Sequence, residues 1–371
     1  MGFGVYVHVP FCRARCDYCA FATWTDRDQL IEQYLAACRR EVEQAADQLP
    51  AVTSIFVGGG TPSRVPAGLL LDVLRVVPHV DGAEVTVECN PDDVTPELLE
   101  SYRLGGVNRV SFGVQSMVPA VLASLGRTHR PENVVAAACA ARAVGLAFNI
   151  DLIYGAAGES QAEWAATLEA ALDLRPDHVS AYALTVEPGT PLATDRARHP
   201  DDDDQADKYL LADALLSAAG LDWYEISNWA RPGHRCRHNL LYWTQGEYLG
   251  IGCAAHSHRG GRRWWNVRTP ERYVAAIEAS RSAEAGGEHL DHAGRRLEQH
   301  QLAVRTSEGV PASAFDAAAL DELEGLVNVA GDRAHLTVAG RLLANEVAIR
   351  LSPAAPVAPG VPAGRRPGPD R

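Results

Sequence analysis

The sequence predicts an α/β protein built as a full or partial (β/α) barrel, with a small unit after it. Three observations carry this. Short β-branched runs alternate with longer amphipathic, Ala/Leu-rich stretches. Polar residues gather at the ends of those runs. The length, 371 residues of which 47% are hydrophobic, suffices for one large core and a small one.

The runs come in order. Strands are predicted over VYVHV (5–9), SIFVGG (54–59), EVTVEC (84–89), RVSFGV (109–114), FNIDLIY (148–154), HVSAYAL (178–184) and WYEIS (223–227). Helical stretches lie between most of them, for example Gln29–Gln48, Asn133–Val144 and Ala162–Leu172. Such alternation implies parallel pairing with helices outside. His8 ends the first run, GGGT (58–61) the second, and Glu88 and Asn90 the third. Gln115 follows the fourth, Asp151 sits in the fifth, and Glu187 follows the sixth. A barrel gathers its functional groups at the carboxyl ends of its strands. A doubly wound sheet does the same, so periodicity leaves both open; the barrel is the reading we favour.

The pattern changes near Thr269. We take 1–268 as the barrel with its extension and 269–352 as a small helical or winged-helix-like domain. Its expected helices are Glu271–Ala283 and Arg295–Val304, followed by LEGLVNV, a turn at Gly331–Asp332, and AHLTVAGRLLANEVAIRL. The Pro/Gly-rich stretch 353–371 is expected to be disordered. DDDD (201–204) reads as a solvated acidic loop.

The formal net charge is −13. Nucleic-acid binders need a basic footprint to displace counterions, so the composition argues against such a partner. No stretch approaches the roughly 20 apolar residues of a membrane span, and the N-terminus lacks a signal pattern. A soluble, cytoplasmic protein is the expectation.

Of eight cysteines, Cys38, Cys89, Cys139, Cys236 and Cys253 are scattered and read as small core residues. Cys12, Cys16 and Cys19 lie together in PFCRARCDYCAF (10–21). In a reducing compartment a tight triplet reads as metal binding. Structural zinc needs a fourth Cys or His, and only His8 is close. A four-iron cluster usually takes four thiolates. With three, one iron stays open to a ligand from outside the protein.

The spacing Cys-x3-Cys-x2-Cys, with Tyr18 before the last Cys, resembles the radical S-adenosylmethionine (SAM) superfamily. That resemblance implies a 4Fe–4S cluster on the three cysteines with SAM as its fourth ligand. YVHVPFCRARCDYCAF, FVGGGTPS, VECNPD, NRVSFGVQS, LGRTH, IDLIYG, HNLLYW and YLGIGCAAHS extend it over most of the chain. They are similar to the coproporphyrinogen-oxidase-like group, and within it to its heme-chaperone branch. The group implies a partial (β/α)6 barrel. It carries SAM contacts onto Tyr6, Tyr18, Gly59, Gly60, Thr61, Glu88, Gln115, Arg127 and Asp151, with Thr185 a weaker one. GAAGES (155–160) departs from the Leu-Pro turn that relatives often carry there.

Two features favour the chaperone branch over the oxidase. Phe21 stands where the oxidase pattern has a further Cys, and HNLLYW (238–243) resembles a heme-binding motif with His238 as axial ligand. Heme and heme-acceptor proteins are then the implied partners, with an electron donor whose type the sequence does not carry. Decarboxylation of coproporphyrinogen propionates is the competing reading. Modification of tRNA is a third, which the charge disfavours.

Overall fold

In the computed structural model, residues 2–351 are described. The expected disorder over 353–371 lies outside them. The strands of the main sheet are β1 (Phe3–Val9), β2 (Val52–Gly59), β3 (His79–Cys89), β4 (Arg109–Gln115), β5 (Ala147–Tyr154) and β6 (His178–Ala183). They continue as β7 (Asp222–Glu225), β8 (Asn228–Ala230), β9 (Glu247–Ile251), β10 (His256–Arg259), β11 (Arg262–Asn266) and β12 (Glu284–His289).

Their spatial order is 12-11-10-9-1-2-3-4-5-6-8-7. β1 to β6 pair in parallel and in sequence order. A doubly wound sheet reverses strand order at its switch point, and this one does not, so the six strands make a partial barrel. β9 adds to β1 in parallel and β8 to β6 antiparallel. The central strands are largely buried on both faces, as in VYVHV, where Val5, Val7 and Val9 are fully inaccessible on one face and His8 is buried on the other. Helices such as Ile31–Ala45 and Pro131–Val144 bury one stripe each on the outside.

The helix expected over Glu271–Ala283 ends at Glu278, and the chain then adds β12 to the sheet edge. Val310–Pro311, Val327–Ala330 and Arg333–Leu336 form a separate three-stranded sheet with a core of its own around Val304, Phe315, Leu336 and Val347.

Two expectations fail. DDDD is not a loop: Asp201 caps the helix Asp202–Ala218 by accepting from Asp204 N at 2.9 Å, and the acids complement the helix's positive end. Cys139 is exposed on its helix, whereas the other four scattered cysteines are buried.

Candidate functional site

β1 hands the chain to the cysteine loop. Trp24 N donates to Pro10 O at 2.7 Å and Cys12 N to Trp24 O at 3.0 Å, closing the loop on itself. Gly60 N to Val9 O (2.7 Å) and Thr61 N to Phe11 O (2.9 Å) fix it to the end of β2. Phe11, fully buried, anchors it edge-on against Tyr34. Cys12 is buried; Cys16 and Cys19 are partly exposed. Burial pushes the Cys12 and Cys19 thiols up, and each is pushed further by the neighbouring cysteines. Donors stand ready for thiolates: Thr61 Oγ1 is 3.6 Å from Cys12 Sγ and Arg127 Nη1 3.5 Å from Cys16 Sγ.

Among the described residues, no three His, Cys, Asp or Glu side chains close on a point as a single metal ion requires. A four-iron cluster is larger than an ion and suits thiols that stand further apart. His8 is no fourth ligand, because its ring nitrogens are occupied by the Tyr6 hydroxyl (3.1 Å) and Ala22 O (2.9 Å). The loop therefore fits a cluster held by three thiolates better than it fits zinc.

Gly59, Gly60 and Thr61 line the loop's inner side. Gly59 has φ +113, open to glycine, and a Cβ there would strike the His8 ring. Gly59 N donates to Glu88 Oε2 at 3.2 Å. Burial, then Asp151, pushes the Glu88 carboxyl up to about 8, against the pull of Gly59 N–H. Gln115 holds φ +64 where β4 bulges, a strained position for a residue with a side chain. Its amide and Arg127 converge over Gly113: a Cβ on that glycine would lie 3.1 Å from Gln115 Nε2 and 3.6 Å from Arg127 Nη2. Arg127 Nη2 donates to Gly113 O at 2.7 Å. Tyr18 packs beside Cys16 and Arg127 against Val121 and Leu184. Thr185 and Glu187 are exposed and do not join this group.

Inside the barrel lies a pocket open to solvent, about 520 Å³ with that open space included. Tyr6, Glu88 and Asp151 reach it from the mouth, and His238 with Tyr242 close it from below. Asp151 accepts from Ser111 Oγ and from Asn149 Nδ2, both at 2.7 Å. Asn149 Oδ1 continues to His178 Nδ1 (2.6 Å), whose Nε2 meets the Tyr224 hydroxyl (2.8 Å).

His238 sits on the helix Arg237–Trp243, 1% exposed. Glu84 anchors that helix by accepting from the backbone N–H of Arg237 (3.0 Å) and His238 (3.1 Å). The His238 ring stacks on Phe56. Its Nδ1 is 3.0 Å from Ser54 Oγ and its Nε2 3.0 Å from the Tyr242 hydroxyl. Burial lowers its pKa to about 3, so the imidazole is neutral. When Nδ1–H donates to Ser54, Nε2 keeps a lone pair facing the cavity behind Tyr242.

The radical SAM superfamily model matches residues 6–171. The chain is 45% identical to the heme chaperone HemW of Mycobacterium tuberculosis over 366 residues, 93% of each protein. It is 34% identical to HemW of Bacillus subtilis, covering 92% of this chain and 97% of that one. The chain belongs to the HemW family. Its fold is similar to Escherichia coli coproporphyrinogen III oxidase HemN, a radical SAM enzyme, with a TM-score of 0.82 and 25% identity over 94% of this chain and 89% of that one.

For a member of the HemW family, the cavity's polar lining is the part that sequence reading left out. Arg109, Ser111, Asn149, His178 and Ser180 all face it. The signal was present as polar residues two apart in otherwise apolar strands, Arg109 with Ser111, Asn149 with Asp151, and His178 with Ser180. Phe21, at the position that separates the two branches, is 65% exposed on the cysteine loop.

Proposed function

We propose that this chain binds heme and delivers it to acceptor proteins in the cytoplasm, using a 4Fe–4S cluster on Cys12, Cys16 and Cys19 with SAM at the open iron. The carrying observation is 45% identity to a heme chaperone across 93% of both chains. Support from the site is that a neutral histidine of HNLLYW borders a cavity walled by aromatic rings. No helix among the described residues is long and apolar enough to cross a membrane.

In this reading Gly59, Gly60 and Thr61 offer backbone to the amino acid end of SAM. Glu88 takes its ribose hydroxyls, and Arg127, Gln115 and Asp151 complete the polar grip, with Tyr6 and Tyr18 as walls. Arg127 also donates to Cys16 Sγ at 3.5 Å. A bound cluster with an open iron supplies electrons one at a time to the ligand it chelates. His238 would hold the heme iron through Nε2, the atom that now meets the Tyr242 hydroxyl, with Ser54 keeping the ring in the tautomer that this requires.

The test is anaerobic reconstitution followed by iron and sulfide analysis, heme titration and a coproporphyrinogen III assay with SAM. We expect a histidine-like Soret spectrum that His238→Ala alters and His335→Ala, in the C-terminal unit, does not. Multiple-turnover propionate decarboxylation, with heme spectra indifferent to His238, would instead assign the oxidase activity.

A further inference from the structure

Arg109 opens β4 at the floor of the barrel cavity and is 7% exposed. Its guanidinium makes no hydrogen bond and no ion pair within 4.0 Å among the described residues, although its side chain lines the cavity. The carboxylates that act on it from further away, Glu84 and Asp151, are engaged elsewhere. Glu84 holds the start of the His238 helix, at 3.0 and 3.1 Å from two backbone N–H groups. Asp151 is taken by Ser111 and Asn149, both at 2.7 Å. Glu88 also lines this space, and burial first of all pushes it up to about 8, so it is not a full counter-charge near neutrality. An unpaired buried cation is costly, because it has lost water and gained no partner. Arg is also the side chain whose planar fork matches a carboxylate bidentately.

We propose that Arg109 receives a carboxylate of the molecule that enters the barrel, which for a porphyrin is one of its propionates. The porphyrin assignment rests on the heme-chaperone reading above. Phe56, Tyr182, Tyr224 and Tyr242 give the same cavity flat apolar walls, and His238 borders it, so the iron ligand and the guanidinium line one pocket. The competing carboxylate is that of the amino acid end of SAM, and the experiment separates the two.

The full-length protein, wild type and Arg109→Met, is titrated with ferric protoporphyrin and with its dimethyl ester, and separately with SAM. The wild type should bind the diacid about ten- to hundredfold more tightly than the diester, the range for a hydrogen-bonded charge pair. Arg109→Met should bring the diacid down to the level of the diester and leave SAM affinity unchanged. Arg109→Lys, which keeps the charge and loses the fork, should fall between. Thermal melting without ligand should hold or rise in Arg109→Met, since an unpaired buried charge has gone. Diacid affinity indifferent to Arg109 overturns the inference, as does a large fall in melting temperature, which would make Arg109 part of the scaffold. Loss of SAM affinity alone would move the carboxylate to SAM and overturn the porphyrin assignment. A wild type that binds neither porphyrin fails the heme reading itself.

Discussion

Replacing Glu88 by Gln tests how far burial at the mouth of the cavity sets the charge of this side chain. Glu88 ends β3 with its carboxyl turned inward, touched by Gly59 N–H at 3.2 Å and facing Asp151. Its pKa rises from 4.5 to about 8, through burial first and Asp151 second. The folded chain thus holds this proton more tightly than the unfolded chain. Between pH 4.5 and 8 the unfolded state ionises first, and stability falls as pH rises. The shift of about 3.5 units, at about 1.4 kcal/mol each, sets a ceiling of about 5 kcal/mol. Glu88 is only partly buried by area, and water in the cavity screens it, so we expect about 2 kcal/mol. Glu88→Gln carries no charge and should escape the loss. Urea midpoints, measured without SAM at pH 5.5 and 8.5, should separate the two proteins at the higher pH with the variant more stable. SAM affinity should drop about tenfold in the same variant, since one acceptor is lost. Parallel stability curves across that range would refute the reasoning and make Glu88 an ordinary solvated acid.

Gly60→Ala should lower reconstituted iron while the circular dichroism spectrum stays the same, because its Cβ would stand 2.8 Å from Phe11 O and 3.0 Å from Cys12 Sγ; full iron content would show that the loop can move aside. Tyr242→Phe frees His238 Nε2 from a hydrogen bond of 3.0 Å, and should tighten heme about two- to tenfold in optical titrations. Weaker heme binding there would mean that the hydroxyl holds the ligand. Lys208→Met should cost about 3–5 kcal/mol in denaturant unfolding, because it strands Glu159, which it meets at 3.3 Å with neither side chain exposed.

The six parallel strands were legible because each is an apolar run long enough to show its period, and all six lie within a few residues of the spans read from pattern. The cysteine triplet was legible through spacing alone. β8 to β12 were not, for a physical reason. They run only three to six residues, and EAGGEH in β12 has neither alternation nor β-branching. Its pairing comes from β11 beside it and not from its own preference. GAAGES departs from its relatives but still closes a turn. Glu159 accepts from Gly155 N at 2.8 Å, and Lys208 Nζ donates to Glu159 O at 2.7 Å, a contact 49 residues away that no local pattern carries. The resemblance of HNLLYW to a heme-binding motif singled out His238. That the ring is buried, neutral and shielded by Tyr242 needed the fold.

The cluster loop and the barrel cavity look separable in sequence, and the structure gives a thread that joins them. The rings of His238 and Tyr6 lie 6.5 Å apart, the Tyr6 hydroxyl meets His8, and His8 Nε2 is 2.9 Å from Ala22 O in the cysteine loop. Every other group assigned to hold heme, Arg109 and the His238 helix included, belongs to β2 to β7 or to Arg237–Trp243, outside residues 10–24. Replacing Cys12, Cys16 and Cys19 together with Ala should therefore abolish cluster iron and the visible absorption it gives. Heme binding should remain, weakened by at most the worth of one hydrogen bond, about two- to tenfold. His8→Ala in the cysteine-intact protein should reproduce that small change without removing the cluster. A hundredfold loss of heme affinity in the triple variant, absent in His8→Ala, would mean that the cluster itself organises the heme site, and the two would have to be treated as one.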